Sequence, residues 1–147
     1  MVTFREINGD NFQECFNLKV ADSQKNFVAS NIYSLAQAWV FPKAAMPFAI
    51  YSGDTMVGFV MMNYDDEDNT YGIWRFMIDE RYQRKGYGKA ALQLAIAYLR
   101  DKFKATEIYL SFEPENTVAE RLYSSAGFRP TGEVDDGEVV MCLKIDK

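Results

Sequence analysis

The stretch Asp79-Glu80-Arg81-Tyr82-Gln83-Arg84-Lys85-Gly86-Tyr87-Gly88-Lys89 decides the fold of this chain. The residues before it, 70–78, are largely apolar and predict a β-strand. After it, apolar residues recur at helical spacing and predict a long helix over residues 86–103. A strand that leads through a basic, glycine-containing loop into a helix is typical of a protein that mixes strands and helices.

This loop has the composition of a phosphate-binding site. The N-terminus of a helix exposes unpaired N–H groups and the positive end of the helix dipole. Gly86 and Gly88 allow close approach of the backbone. Arg84, Lys85 and Lys89 place positive charge there, in a chain whose formal net charge is −5. Glycines alone would favour a solvated turn, but the strand, the basic cluster and the helix start together favour phosphate.

The loop differs from two common nucleotide-binding loops. It lacks the first glycine and the Ser/Thr of the P-loop, so a nucleoside triphosphate is not the expected ligand. Gly86, Gly88 and Ala91 satisfy a G-x-G-x-x-A pattern. A dinucleotide fold, however, needs a tight turn after the strand and two βαβαβ halves, and too little chain follows.

The rest of the chain predicts one mixed α/β (α+β) domain over residues 1–147. Predicted strands cover residues 3–7, 47–52, 56–63, 70–78, 107–112, 128–133 and 138–145, and predicted helices cover residues 10–24, 30–40, 86–103 and 116–126. Asp10 and Asn116 are the expected N-caps, and Pro42 and Gly127 are the expected stops. The predicted order is βααβββαβαββ.

Composition excludes several classes of chemistry. The chain contains no histidine, which rules out Ser-His and Cys-His nucleophiles and any zinc site that needs imidazole. Cys15 and Cys142 are too few for an all-cysteine zinc site, so we expect no metal. The acidic net charge argues against a nucleic-acid partner. Neither a leader at residues 1–7 nor a long apolar run is recognisable, so we expect a cytoplasmic protein without a membrane partner.

Two motifs resemble those of the GNAT superfamily of acyl-CoA N-acyltransferases. Residues 83–88, Gln-Arg-Lys-Gly-Tyr-Gly, are similar to its acetyl-CoA signature (Gln/Arg)-x-x-Gly-x-(Gly/Ala). Residues 116–128 are similar to its segment Asn-x-x-Ala-x-x-Leu-Tyr-x-x-x-Gly-Phe. The element order also agrees along essentially the whole chain. The resemblance therefore implies a GNAT-like fold, with a central, mostly antiparallel twisted sheet flanked by helices.

The resemblance implies acetyl-CoA as co-substrate and assigns roles to residues. Backbone groups of residues 76–78 would pair with the pantetheine arm as a strand does, and N–H groups of residues 84–89 would hold the pyrophosphate. Asn116 would lie along the cofactor, and Tyr123 would face its sulfur as proton donor, although periodicity alone makes Tyr123 a core aromatic. The cofactor-binding residues expected on this basis are Phe76, Met77, Ile78, Arg84, Lys85, Gly86, Tyr87, Gly88, Lys89 and Asn116.

The general base stays open at this point. Many relatives carry a glutamate on the strand before the loop, where this sequence has Trp74. Glu113 at the end of the next strand is a possible substitute, and a water relay is equally consistent with the sequence. Trp74 either walls the substrate tunnel or belongs to the core. Trp74 and Glu113 are thus the candidate substrate-binding residues.

These observations favour an N-acetyltransferase that acts on a small-molecule primary amine. Segments 74–79 and 47–51 are similar to bacterial spermine/spermidine (diamine) acetyltransferases, which points to a polyamine such as spermidine or spermine. Acidic residues at 65–68 and 133–138 could hold the other amines, although acidic turns are usually only solvated. The alternatives are another acceptor (an antibiotic, an amino acid or a protein N-terminus) and a CoA-binding sensor without turnover. By analogy with the family that the chain resembles, we expect a homodimer.

Overall fold

The computed structural model describes residues 1–145, and in that part of the chain seven strands form one sheet. The strands are β1 (Thr3–Arg5), β2 (Ala45–Ser52), β3 (Thr55–Asp65), β4 (Thr70–Ile78), β5 (Glu107–Phe112), β6 (Arg129–Asp135) and β7 (Glu138–Lys144). The helices are α1 (Phe12–Asn17), α2 (Asn31–Val40), α3 (Tyr87–Phe103) and α4 (Thr117–Ser125), with short 3₁₀ turns at Asp22–Gln24 and Glu80–Tyr82. The predicted mixed α/β fold and its element order are confirmed.

The sheet has the order β1-β2-β3-β4-β5-β7-β6. Every neighbouring pair is antiparallel except β4 and β5, which run parallel. These two strands pair only over residues 71–73 of β4 and 108–110 of β5. From Trp74 to Ile78, β4 therefore keeps β3 as its neighbour on one side and leaves its other edge open. The two strands diverge there and create a cleft inside the sheet.

A β-bulge lies at the point where the strands diverge. On β3, Met61 pairs with Arg75 and the next residue, Met62, pairs with Ile73. Trp74 is the additional residue and has no opposite partner on β3. Bulges bend a strand and redirect its side chains, and they are frequent next to active sites. The bulge thus marks the stretch of β4 that borders the cleft.

Two apolar clusters cover the two faces of the sheet. Because side chains alternate along a strand, Val60 and Met62 of β3 join one cluster while Phe59 and Met61 join the other. Helix α3 contributes to the first cluster with the buried residues Ala91, Leu92, Ala95 and Leu99. Cys15 of α1 contributes to the second. The long helix after the loop is therefore anchored on the face that also contains Tyr123.

The first helix is shorter than predicted. The sequence predicts a helix over residues 10–24, but α1 ends at Asn17. The chain then turns away because Lys19 is held by a distant segment: its N–H donates to Asp79 Oδ2 at 3.0 Å, and its carbonyl accepts from the Glu80 N–H at 2.8 Å. These bonds replace the helical ones. The prediction was wrong because a tertiary contact overrode a local pattern.

The other helix ends follow the expected capping rules more closely. The Ser30 hydroxyl accepts from Tyr33 N at 3.1 Å, and the Asn116 side chain accepts from Ala119 N at 3.2 Å. Asp10 is not the N-cap of α1, since Asn11 holds that position. None of the helices in the described part of the chain combines the length and apolar composition needed to cross a bilayer.

Candidate functional site

A cleft of about 1070 Å³ opens where β4 and β5 diverge. It is bordered by β4, the loop of residues 83–89, the start of α3, β5, α4 and the hairpin of β6 and β7. Of the residues singled out in the sequence, the cleft brings together Trp74, Phe76, Met77, Ile78, Arg84, Gly86, Gly88, Lys89, Asn116 and Tyr123. Three others, Lys85, Tyr87 and Glu113, do not line it.

The loop presents its backbone N–H groups in an unusual way. Arg84 and Gly86 both have left-handed dihedrals, with φ of 64° and 85°. Alternating left-handed and ordinary residues turn successive N–H groups toward one side, which is the geometry of an anion-binding nest. Within residues 1–145, the N–H groups of residues 84–89 find no carbonyl or side-chain acceptor. They are available for a ligand at the positive end of α3.

Gln83 lines the cleft and anchors the loop through its side-chain amide. Its Nε2 donates to the carbonyl of Ile78 at 2.9 Å and to Oε1 of Gln24 at 2.9 Å. The first bond ties the loop to the end of β4, and the second ties it to the 3₁₀ turn of residues 22–24. The glutamine of the signature is therefore a positioning group in this chain.

Asp79 is a second anchor, and the sequence analysis missed it. Its side chain is only 1% exposed and accepts bonds from Lys19 N, Arg81 N and Arg81 Nε at 2.8–3.0 Å. Burial alone would raise the pKa of this carboxyl, but the bonds from Arg81 and Lys19 outweigh burial and lower the pKa below its ordinary value. An Asp directly after a strand and two residues before an Arg was the only signal in the sequence.

The two glycines of the loop have different reasons to be glycine. Gly86 needs its left-handed backbone, which L-residues with side chains rarely adopt. Gly88 has no such need: a Cβ there would meet Leu122 Cδ2 at 3.7 Å and Ile78 Cγ1 at 3.8 Å, which are ordinary contacts. A glycine in a helix costs about 0.5–1 kcal/mol relative to alanine. Packing alone therefore does not explain Gly88, which leaves the cleft surface of α3 open at this point.

Tyr123 projects from α4 into the inner part of the cleft. It is 7% exposed and contacts the rings of Phe112 and Phe128, both with centroids at 6.1 Å. Burial, and secondly the charge of Glu138, raise the pKa of Tyr123 to about 12. Its hydroxyl makes no hydrogen bond with any residue in the described part of the chain. A phenol that stays protonated at neutral pH and faces a cleft can donate a proton there.

Trp74 combines the two alternatives that the sequence left open. It lines the cleft, and it also packs partly against the second core cluster. With the Asn63 amide assigned in the orientation that satisfies both its oxygen and its nitrogen, Trp74 Nε1 donates to the amide oxygen at 3.1 Å and the amide nitrogen donates to the Gly72 carbonyl at 3.2 Å. This chain of bonds fixes the indole at the bulge of β4. The position therefore carries a rigid apolar wall and no carboxylate.

Acidic side chains from two distant segments meet at the same cleft. Among residues 1–145 we define the acidic wall as the five carboxylates that line it: Asp65, Asp68, Glu133, Asp135 and Glu138. Glu138 is half-buried, and its Oε1 accepts from Ser111 Oγ at 2.7 Å. The cleft thus carries basic residues at the loop and at Arg75 of β4, and carboxylates on other strands and turns. Both acidic segments were recognisable in the sequence, but only the structure shows that they line the same cleft.

The fold and the loop define a class of protein. Residues 4–128 match the model of the Acetyltransferase (GNAT) family. The chain belongs to this family, and it is an acetyl-CoA-dependent N-acetyltransferase.

Individual relatives agree with this assignment. The chain is 35% identical to the spermine/spermidine N(1)-acetyltransferase of Bacillus subtilis (strain 168), with 98% of this chain and 99% of the relative covered. Its structure is similar to that of spermidine N-acetyltransferase from Vibrio cholerae in complex with CoA and spermine, with a TM-score of 0.77, 18% identity, and 98% and 94% coverage. It is also similar to PaiA N-acetyltransferase from Thermoplasma acidophilum in complex with coenzyme A, with a TM-score of 0.75, 15% identity and 99% coverage of both chains. At these identities the two structures support the fold alone.

Proposed function

We propose that this N-acetyltransferase acetylates a primary amine of a polyamine such as spermidine or spermine. The observation that carries the proposal is the acidic wall, which lines the same cleft as Tyr123 and the basic loop. A long polycation can present one amine for reaction while carboxylates hold the others, which orients it without a closely fitted pocket. The Bacillus subtilis relative, which matches over nearly the whole chain, is named for this acceptor class.

The residues around the loop fit an acyl-CoA. We assign the open edge of Phe76, Met77 and Ile78 to the pantetheine arm, which would add to β4 as an extra strand. The free N–H groups of residues 84–89 would hold the pyrophosphate, with Gly86 and Gly88 allowing its approach and Arg84 and Lys89 adding charge. Asn116 would lie beside it. Lys85 would act only through longer-range charge, and Tyr87 packs against the core.

We assign Tyr123 to the leaving group of the reaction. The co-substrate supplies an acetyl thioester, whose sulfur leaves as a thiolate unless it is protonated. The Tyr123 hydroxyl is the donor that we assign, because its raised pKa keeps the proton on the phenol until the sulfur needs it. An alkyl amine with a pKa of about 10 arrives protonated and must lose a proton before it attacks.

A panel of amines tests this function. Release of free thiol from acetyl-CoA is measured with spermine, spermidine and butylamine at low and high salt. We expect the polyamines to have kcat/KM values about tenfold or more above that of butylamine, and the advantage to shrink with salt because screening weakens exposed charge pairs.

Equal rates for butylamine and spermine at low salt would contradict the polyamine assignment while leaving the acetyltransferase activity in place. Thiol release with none of the amines, in a protein that still binds acetyl-CoA, would favour a CoA-binding sensor. Faster turnover with an amino acid or an antibiotic would favour one of the other acceptors.

Several expectations from the sequence stay predictions. They are the single domain over residues 1–147, the cytoplasmic location, the homodimer, and the lack of nucleic-acid and membrane partners.

A further inference from the structure

Glu138 differs from the other members of the acidic wall. It is half-buried at the start of β7, whereas Asp68, Glu133 and Asp135 are exposed; Asp65 is also half-buried, but its Oδ1 accepts from the Glu67 N–H within its own turn at 3.0 Å. Ser111 on β5 also lines the cleft and donates to Glu138 Oε1 at 2.7 Å, which fixes the carboxylate. Within residues 1–145, no basic side chain lies within 4.0 Å of it, and Oε2 accepts no hydrogen bond. One oriented carboxylate oxygen is thus left for a ligand.

A second, independent observation points to the same place. The Tyr123 side chain is more than nine-tenths buried, yet its hydroxyl has no hydrogen-bond partner in the described part of the chain. The hydroxyl oxygen itself is not sealed in the core but is accessible from the cleft, so a ligand bound there can become its hydrogen-bond partner. Strand pairing brings Glu138 to the same part of the cleft: Phe112 pairs with Val139, the residue after Glu138, and the Phe112 ring contacts that of Tyr123 with centroids at 6.1 Å. An unsatisfied donor and an unsatisfied acceptor therefore border one part of the cleft.

We propose that Glu138 binds the attacking nitrogen of the acceptor, with its free Oε2 accepting a hydrogen bond from the ammonium beside Tyr123. Charge-assisted bonds of this kind are shorter and about twice as strong as neutral ones. The inference rests on the proposed function, since it requires an amine acceptor in this cleft. Glu138 is then the substrate-binding residue nearest the reaction, Ser111 is its positioning residue, and the rest of the acidic wall holds amines farther along a polyamine.

The structure also separates Glu138 from Glu113. Glu113 directly follows β5, and Glu138 begins β7, the strand that pairs with β5. Only Glu138 lines the cleft. Its carbonyl accepts from Asn116 N at 2.9 Å, in the turn that leads into α4. A carboxylate that reaches the acceptor nitrogen must border the cleft, and Glu138 meets this condition.

The test compares Glu138→Gln with Glu120→Gln, a matched control on the exposed side of α4 outside the cleft. Steady-state kinetics are measured with spermidine and with butylamine, and acetyl-CoA affinity is measured by calorimetry. We expect Glu138→Gln to raise the KM for both amines by about tenfold or more, with unchanged acetyl-CoA affinity. Glu120→Gln is expected to behave as the unmodified protein. Ser111→Ala should raise the same KM values less, and Ser111→Thr should restore them.

The choice of amines keeps the outcomes separate. Butylamine has a single nitrogen, so a loss confined to spermidine would mean that Glu138 holds a distant amine, and the proposal would be wrong. Unchanged kinetics of Glu138→Gln, or the same loss produced by Glu113→Gln instead, would also overturn it. If the unmodified protein does not prefer polyamines but Glu138→Gln still impairs butylamine, the proposed function fails while this inference stands. Unchanged acetyl-CoA affinity shows that the variant is folded.

Discussion

The loop of residues 83–89 and the acidic wall border the same cleft, but they are built in different ways. The loop is one continuous segment that presents backbone N–H groups, and their direction depends on left-handed dihedrals at Arg84 and Gly86. The acidic wall consists of side chains from segments about 70 residues apart in the chain, brought together by the sheet. A backbone site is therefore recognisable as a local motif, whereas a wall of side chains depends on strand order.

The difference extends to what each region requires of its residues. In the loop, side chains mainly hold the backbone: Gln83 binds the Ile78 carbonyl, and Asp79 binds two N–H groups and a guanidinium. The side chains of the acidic wall, such as Glu138, face the cleft themselves, and so does the nearby Tyr123. Substitutions in the loop should thus affect cofactor affinity and stability, and substitutions near the wall should affect turnover and acceptor use.

The largest effect is expected at Tyr123. Tyr123→Phe removes only the hydroxyl, which has no partner among residues 1–145, so folding and acetyl-CoA affinity should persist. Because a general acid typically contributes about 10²–10⁴-fold, kcat should fall within that range. The change in kcat is measured as the initial rate of thiol release at a saturating concentration of amine.

Unaltered turnover at neutral pH, with chemistry shown to limit the rate by single-turnover kinetics, would remove Tyr123 from the mechanism. A large loss of acetyl-CoA affinity would instead assign Tyr123 to cofactor binding. The loop would then not be the only one of the two regions that binds the cofactor.

A smaller effect, on stability, is expected at Asp79. Asp79→Asn removes the charge from a buried group that accepts three hydrogen bonds, and the free energy of unfolding should fall by about 1.5–3 kcal/mol. The folded pKa of Asp79 is lowered, so its stabilisation is complete above the unfolded pKa of about 3.9 and is lost as the pH falls through the folded pKa.

Urea unfolding of both proteins at pH 7 and at pH 3 checks the sign. The stability difference should be large at pH 7 and smaller at pH 3. A difference that stays constant or grows toward low pH would show that the charge of Asp79 does not stabilise the loop.

The smallest effect is expected at Gly88. Gly88→Val should leave the fold intact, because the position has ordinary φ and only ordinary contacts. It should weaken acetyl-CoA binding by about tenfold, since the side chain would enter the space of the pyrophosphate. Calorimetry with acetyl-CoA measures this. Gly9→Val is a matched control, because a Cβ at Gly9 meets nothing within 4 Å and Gly9 does not line the cleft.

Unchanged affinity in a folded Gly88→Val variant would mean that the pyrophosphate lies elsewhere. Gly86→Val is a less informative variant, because its positive φ adds backbone strain to any effect on binding.

The elements around the loop were predictable because their signals are local. Strands β4 and β5 have the predicted bounds, and α3 and α4 agree within a residue or two. Their periodicity and caps lie within short stretches of sequence, and tertiary contacts reinforce them. The end of helix α1 was not predictable in the same way. The helix ends just before Lys19, whose N–H donates to the side chain of Asp79, about 60 residues away in the sequence.

The sequence by itself determined the mixed α/β class, the order of the elements, the basic glycine loop at the start of α3 and the absence of histidine chemistry. These features depend on residue type and short-range spacing, which a linear pattern contains. Only the tertiary structure decided which carboxylates share the cleft, that Glu138 rather than Glu113 borders it beside Tyr123, and that Trp74 sits on a bulge. The physical reason is that these facts depend on strand register and on the divergence of β4 from β5, which arise when the whole sheet packs.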